Sequence, residues 1–222
     1  MKFLITLLVV FIINILFVKS QVQYVNFQPF SNGKCSGNSQ GIGYSIQLDT
    51  CTTYDRNNTY MFTSSSNQVK WAKYSVENVI EPVCSGSATT TQTVKIGNCI
   101  KNTNIAFDES SLPAVQYFYK VSISNQPLIN SNSYIKSFMY NVDSCNENEV
   151  TNIQYFSNAT KAIEKSTSRP SSYYCSASNQ PYTYYCSIWG CGPSYTSANC
   201  QQINSTSPTL INENNYYSVF CN

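Results

Sequence analysis

The chain has 222 residues, with 13 Lys and Arg against 11 Asp and Glu, ten cysteines and no histidine. Without histidine there is no Ser-His-Asp or Cys-His nucleophile system and no His-ligated catalytic metal. The small net charge of +2 gives no electrostatic case for a nucleic-acid or acidic-membrane partner, and the charges are scattered.

The N-terminal segment reads MKFLITLLVVFIINILFVKSQ. Lys2 precedes an apolar run from Phe3 to Val18, broken by Asn14, and Val18 and Ser20 stand where a signal peptidase reads. The run is shorter than the about 20 residues of a membrane span, and no second apolar stretch follows. Nor does the NYYSVFCN end resemble a lipid-anchor signal. The expected organisation is a signal peptide over residues 1–20 and a single cysteine-rich extracellular β domain over 21–222, secreted and with no membrane span in the mature chain. Loss of Lys2 and Lys19 leaves eleven basic residues facing eleven acidic ones.

Period-two alternation then recurs along the chain. Tyr44, Ile46 and Leu48 form one such set. The clearest is YFYKVSIS, with Tyr117, Tyr119, Val121 and Ile123 on one face. Phe138, Tyr140 and Val142 make another, and Tyr217, Val219 and Cys221 the last. Turns are expected at Asn32-Gly33, Gln126-Pro127, Gln180-Pro181 and Gly192-Pro193. Only TKAIEKS, around Ala162, has a weak helical pattern. The fold expected is all-β, a disulfide-stapled antiparallel sandwich or barrel.

The ten cysteines are Cys35, Cys51, Cys84, Cys99, Cys145, Cys175, Cys186, Cys191, Cys200 and Cys221. An even number in a secreted chain reads as a disulfide framework. A zinc or redox module would want tight C-x-x-C spacing, which occurs nowhere, so no metal or cofactor is expected.

The cysteines also mark a repeat. KCSGNSQGIGYSIQLDTC (34–51) and VCSGSATTTQTVKIGNC (83–99) both begin C-S-G after their first residue, and Ile46 and Leu48 align with Val94 and Ile96. A third, weaker copy begins at Tyr134, so two or three repeated strand pairs are expected, with a trefoil as the threefold option. On the repeat, Cys35 should pair with Cys51 and Cys84 with Cys99. The remainder are expected as Cys145–Cys175, Cys186–Cys221 and Cys191–Cys200.

The signal, the opening QVQYVNFQPFSNGKCSGNSQGIGYSIQLDTC and the V-K-I-G-N-C unit resemble the small secreted cysteine-rich proteins that social amoebae carry in many related copies. That resemblance implies secretion and paralogy. The family is one of unknown function and brings no catalytic residues with it.

Three acceptor patterns, at Asn57, Asn158 and Asn204, predict N-glycans on exposed loops. Two S-x-x-K matches, Ser31 to Lys34 and Ser133 to Lys136, lack the helix start that a serine–lysine enzyme requires. Local carboxylate pairs are Asp108 with Glu109, Glu147 with Glu149, and Glu77 with Glu81, while Asp49, Asp55 and Asp143 would pair only through the fold. The aromatic segments SSYYC, QPYTYYC and CSIWGC are either core or a binding face, with Trp189 the ring most expected at the surface. The leading expectation is a non-enzymatic extracellular binding, surface or matrix glycoprotein whose partner is a glycan or cell-surface protein. The alternative is a carbohydrate-active hydrolase using two acids.

Overall fold

In the computed structural model the described residues are 21–53, 58–75, 84–101, 111–113, 118–140, 142, 144–146, 149–164, 169–187, 189–196, 200–202 and 216–222. The expected signal peptide, Asn57 and Asn204 lie outside them.

Among the described residues the architecture is all-β and antiparallel, with three sheets. The four-stranded sheet runs in order β3 (Cys51–Thr53), β4 (Asn58–Ser65), β5 (Gln68–Ser75), β6 (Thr90–Lys95). The five-stranded sheet holds β15 (Gly190–Tyr195), β14 (Pro181–Ser187), β13 (Arg169–Cys175), β12 (Thr160–Glu164) and β8 (Ser111–Pro113). The third sheet has eight strands. Its order is β16 (Gln201–Gln202), β17 (Tyr216–Cys221), β10 (Ser133–Met139), β11 (Asn152–Ser157), β2 (Ile42–Gln47), β1 (Tyr24–Phe30), β9 (Phe118–Ser124) and β7 (Cys99–Lys101). Its two edge strands do not pair, so the fold is sandwich-like rather than a closed barrel, and it is not a trefoil.

One face of the eight-stranded sheet carries Val25, Phe27, Ile46, Val121, Phe156 and Val219. These form a single core with Phe62, Val69 and Trp71 of the four-stranded sheet and Tyr173 of the five-stranded sheet. Phe27 meets Phe62 and Trp71 edge-on, with centroids 6.1 and 6.2 Å apart. The opposite face carries a second cluster of Ile135, Met139, Val150, Ile153 and Tyr155. There Tyr155 lies directly across from Gly43, whose missing side chain leaves room for the phenol ring. Beside it, Asn26 is buried but satisfied: its amide donates to Ser124 Oγ and accepts from Ser45 Oγ and the Leu128 N–H.

Alternation was a good guide in β2, β9 and β17. It misled elsewhere. The segment around Ala162 is strand β12, not helix, because Thr160 and Ala162 point inward with Lys161 outward and both flanks are paired. Strand β10 ends at Met139, so it is Ile135 and Met139 that are buried against the second cluster, while Phe138 is half-buried. Gly192-Pro193 is not a turn; it lies within edge strand β15, where a proline without N–H is tolerated.

All ten cysteines form disulfides, with no free thiol, but every expected pairing is replaced. Cys35 joins Cys99 and Cys51 joins Cys84, so the two C-S-G units exchange partners reciprocally. The reason is length. Each unit contains a six-residue strand, β2 or β6, about 20 Å long. Its two cysteines therefore lie at opposite ends, well beyond the roughly 4.4–6.8 Å between Cα atoms that a disulfide permits. Cys145–Cys200, Cys175–Cys221 and Cys186–Cys191 replace the other three. Cys175 ends β13 and Cys221 ends β17, so this bridge staples the five-stranded sheet to the eight-stranded one.

Candidate functional site

The face of the five-stranded sheet turned away from the core is aromatic. Register places Tyr174 opposite Tyr182, Tyr182 opposite Tyr195, and Tyr184 opposite Pro193. Side chains alternate along a strand, so these share one face. The other face is fixed by Tyr173, which is fully buried and stacked on Phe156 at 3.8 Å. On the outer face Tyr174 stacks on Tyr182 at 5.2 Å, and Tyr182 meets Tyr195 at 5.4 Å. Tyr184 and Tyr195 are 42% and 60% exposed, large values for rings of that size.

Trp189 sits at the tip of the β14–β15 hairpin and is 91% exposed. Three local features hold the tip. Cys186 and Cys191 are directly opposite and bonded. Ser187 Oγ accepts from the Trp189 N–H at 3.1 Å and donates to the Gly190 carbonyl at 3.2 Å. Gly190 has φ 129°, which a side chain would strain. The indole is thus displayed on a stiffened turn.

Charge on this face is sparse: exposed Lys161 of β12, opposite Ser172, borders Tyr184. From Pro170 to Asn212 the sequence contains no Asp, Glu, Lys or Arg. Recognition here would rest on ring contact and hydroxyl hydrogen bonds, and would depend little on salt. The charge gap was available from the sequence and would have marked the segment as unusual.

A second concavity, about 460 Å³, lies between the β1–β2 connection, the segment before β10 and the β11–β12 turn. Its described lining is uncharged, with Gln28, Asn38, Gln40, Asn130, Ser157 and Asn158 among its residues. Of the three glycan acceptors, Asn158 is described, and it is exposed on the β11–β12 turn.

Among the described residues the other candidates are not drawn together. Ser31 and Lys34 are exposed on a turn. Ser133 is buried, and Lys136, three residues on, points to the opposite face of β10, over the Phe156 and Tyr173 rings at 5.3 Å. Asp49 and Glu149 are exposed. Asp55, Glu77, Glu81, Asp108, Glu109, Asp143 and Glu147 lie outside the described residues.

A family model described as counting factor-associated protein A/B/C matches residues 1–221. An uncharacterised protein of Dictyostelium discoideum is 30% identical over 166 residues, covering 71% of this chain and 53% of its own. The chain therefore spans about half the length of that curated relative. No solved structure matches.

Proposed function

The chain belongs to the counting factor-associated protein A/B/C family, and on that premise we propose that it is a secreted, non-enzymatic glycoprotein that binds another extracellular macromolecule through the aromatic face of β13–β15. The observation that carries this is the ring row Tyr174–Tyr182–Tyr195, continued by Tyr184 and the displayed Trp189, on strands that carry no charged residue from Pro170 to Tyr195. Exposed rings of this kind need a reason, and Tyr and Trp are the residues that dominate binding hot spots.

Two further facts support it. Five disulfides suit an oxidising compartment and match the leader-like N-terminus. The family's description is of proteins associated with counting factor, so association with another protein is the mode of action it suggests.

The test uses labelled, oxidised protein and surfaces of the cells that produce it. Saturable binding should be insensitive to salt. Trp189→Ala combined with Tyr195→Ala should weaken it by about 30-fold or more, since loss of one hot-spot ring costs about 2 kcal/mol or more. The variant should melt with the parent, because both side chains are exposed. Equal binding by parent and variant would refute the assignment of the face. Release of new reducing sugar ends from cell-surface glycans would refute the non-enzymatic reading.

A further inference from the structure

The uncharged concavity has a more specific occupant than a free ligand. Ten described residues line it, and each is an amide, a serine or a glycine. Its wall is built from three segments far apart in sequence and tied through Asn130. The Asn130 amide donates to the Ser39 carbonyl at 3.2 Å, to Ser39 Oγ at 2.9 Å and to Ser157 Oγ at 3.1 Å, while its oxygen accepts from Gln28 Nε2 at 3.4 Å. Ser39 Oγ in turn donates to the Pro29 carbonyl, and Ser157 Oγ accepts from the Gly41 N–H. Such a wall offers alternating donors and acceptors with no charge. That suits a neutral, hydroxyl-rich molecule bearing acetamido groups, and suits neither an anion nor an apolar ligand.

Asn158, the first residue of N-A-T, is on the rim. Its Oδ1 accepts from the Cys175 N–H at 3.3 Å, at the end of β13 that the Cys175–Cys221 bridge anchors. With Oδ1 so engaged, Nδ2, the atom that carries an N-glycan, is left for attachment on a residue that lines the concavity.

We propose that the N-glycan on Asn158 folds back into this concavity, so that its core acetamido sugars are held by the amide wall as an intramolecular ligand. Attachment precedes folding and is made by the cell's transferase from a lipid-linked oligosaccharide. Nδ2 forms the bond to the anomeric carbon and loses one proton, and the lipid diphosphate leaves. The tether then supplies an effective concentration in the millimolar range, so individually weak sugar–amide contacts suffice. The glycan also covers polar wall groups that solvent would otherwise hydrate. This reading is independent of the aromatic face, which lies on other strands.

The experiment follows site-by-site release of glycans from native, secreted protein by peptide-N-glycosidase, read by peptide mass spectrometry. Asn158 should be occupied and released at least tenfold more slowly than the same glycan after denaturation. Asn38→Ala combined with Gln40→Ala removes two exposed wall amides outside the Asn130 network, and should restore fast release with an unchanged melting point. An unoccupied Asn158, fast native release, or slow release that persists in the wall variant would each overturn the proposal. Binding of free chitobiose by unglycosylated Asn158→Gln protein but not by the glycosylated parent would support it; equal binding by both would show the concavity open to outside sugars and contradict it.

Discussion

Gly43→Ala tests the second core at its tightest point. Gly43 lies within β2, opposite Tyr155 of β11, and an added Cβ would overlap Tyr155 Cζ and Oη and fall 2.6 Å from Cε1. The backbone there is ordinary strand, so only the ring opposes the methyl group. The ring cannot move aside, because Tyr155 is fully buried among Ile135, Met139, Val150 and Ile153. Overpacking of this type costs about 1–3 kcal/mol, and a rigid neighbour puts it near the upper figure. At about 2–4 °C per kcal/mol for a chain of this size, the melting point should fall by roughly 6–12 °C. Calorimetry of oxidised protein measures it. A second background isolates the cause. In Tyr155→Leu the space opposite residue 43 is open, and Gly43→Ala should there be neutral or stabilising by up to about 1 kcal/mol, the entropy a strand glycine forfeits. An equal loss in both backgrounds, or a single variant melting with the parent, would refute the reasoning.

Non-reducing peptide mapping should recover Cys35–Cys99 and Cys51–Cys84, and a Cys35–Cys51 peptide would overturn the crossed arrangement. Replacing both Cys175 and Cys221 with serine should cost about 4 kcal/mol by chain-entropy reasoning for a separation of 46, and lower the melting point by roughly 8–16 °C; a smaller drop would show that packing alone holds the two sheets. Asn26→Leu removes the partner of Ser45 Oγ and of the Leu128 N–H, while Ser124 Oγ keeps its bond to the Gln126 carbonyl, so it should destabilise by at least about 2 kcal/mol in denaturant titration, and no loss would mean the network contributes nothing. Burial raises the pKa of both Tyr140 and Tyr155 above the usual tyrosine value of 10. Their unfolded forms lose protons first as pH rises, so stability should be flat to about pH 10 and then fall by about 1.4 kcal/mol per pH unit for each ring; a flat profile to pH 11 would contradict their burial.

The fold class was legible because alternation is local: Tyr44, Ile46, Tyr119 and Val121 point inward as period two requires. Ala162 shows the limit. Its short segment carried an ambiguous pattern that tertiary pairing with β8 and β13 resolved as strand. Each C-S-G unit carries one six-residue strand, and using the unit as a ruler ignored that this strand separates its cysteines. Strand length alone argues against the within-unit pairing, while the exchange of partners is seen only in the fold. The aromatic face was half legible. Tyr173 and Tyr174 are neighbours in sequence, yet one is core and the other outer surface, and only the register against β14 decides which. The concavity at Asn130 was not legible, because it joins Gln28, Ser39 and Ser157 through long-range contacts.

The two tryptophans make the binding claim directly measurable. Trp71 is 5% exposed within the core and Trp189 is 91% exposed at the hairpin tip, so collisional quenching by acrylamide reports almost wholly on Trp189. Protein bound to membranes of the producing cells should show a quenching constant several-fold lower than free protein, because the partner covers the indole. Binding confirmed by co-sedimentation with the quenching constant unchanged would place the contact elsewhere and contradict the account.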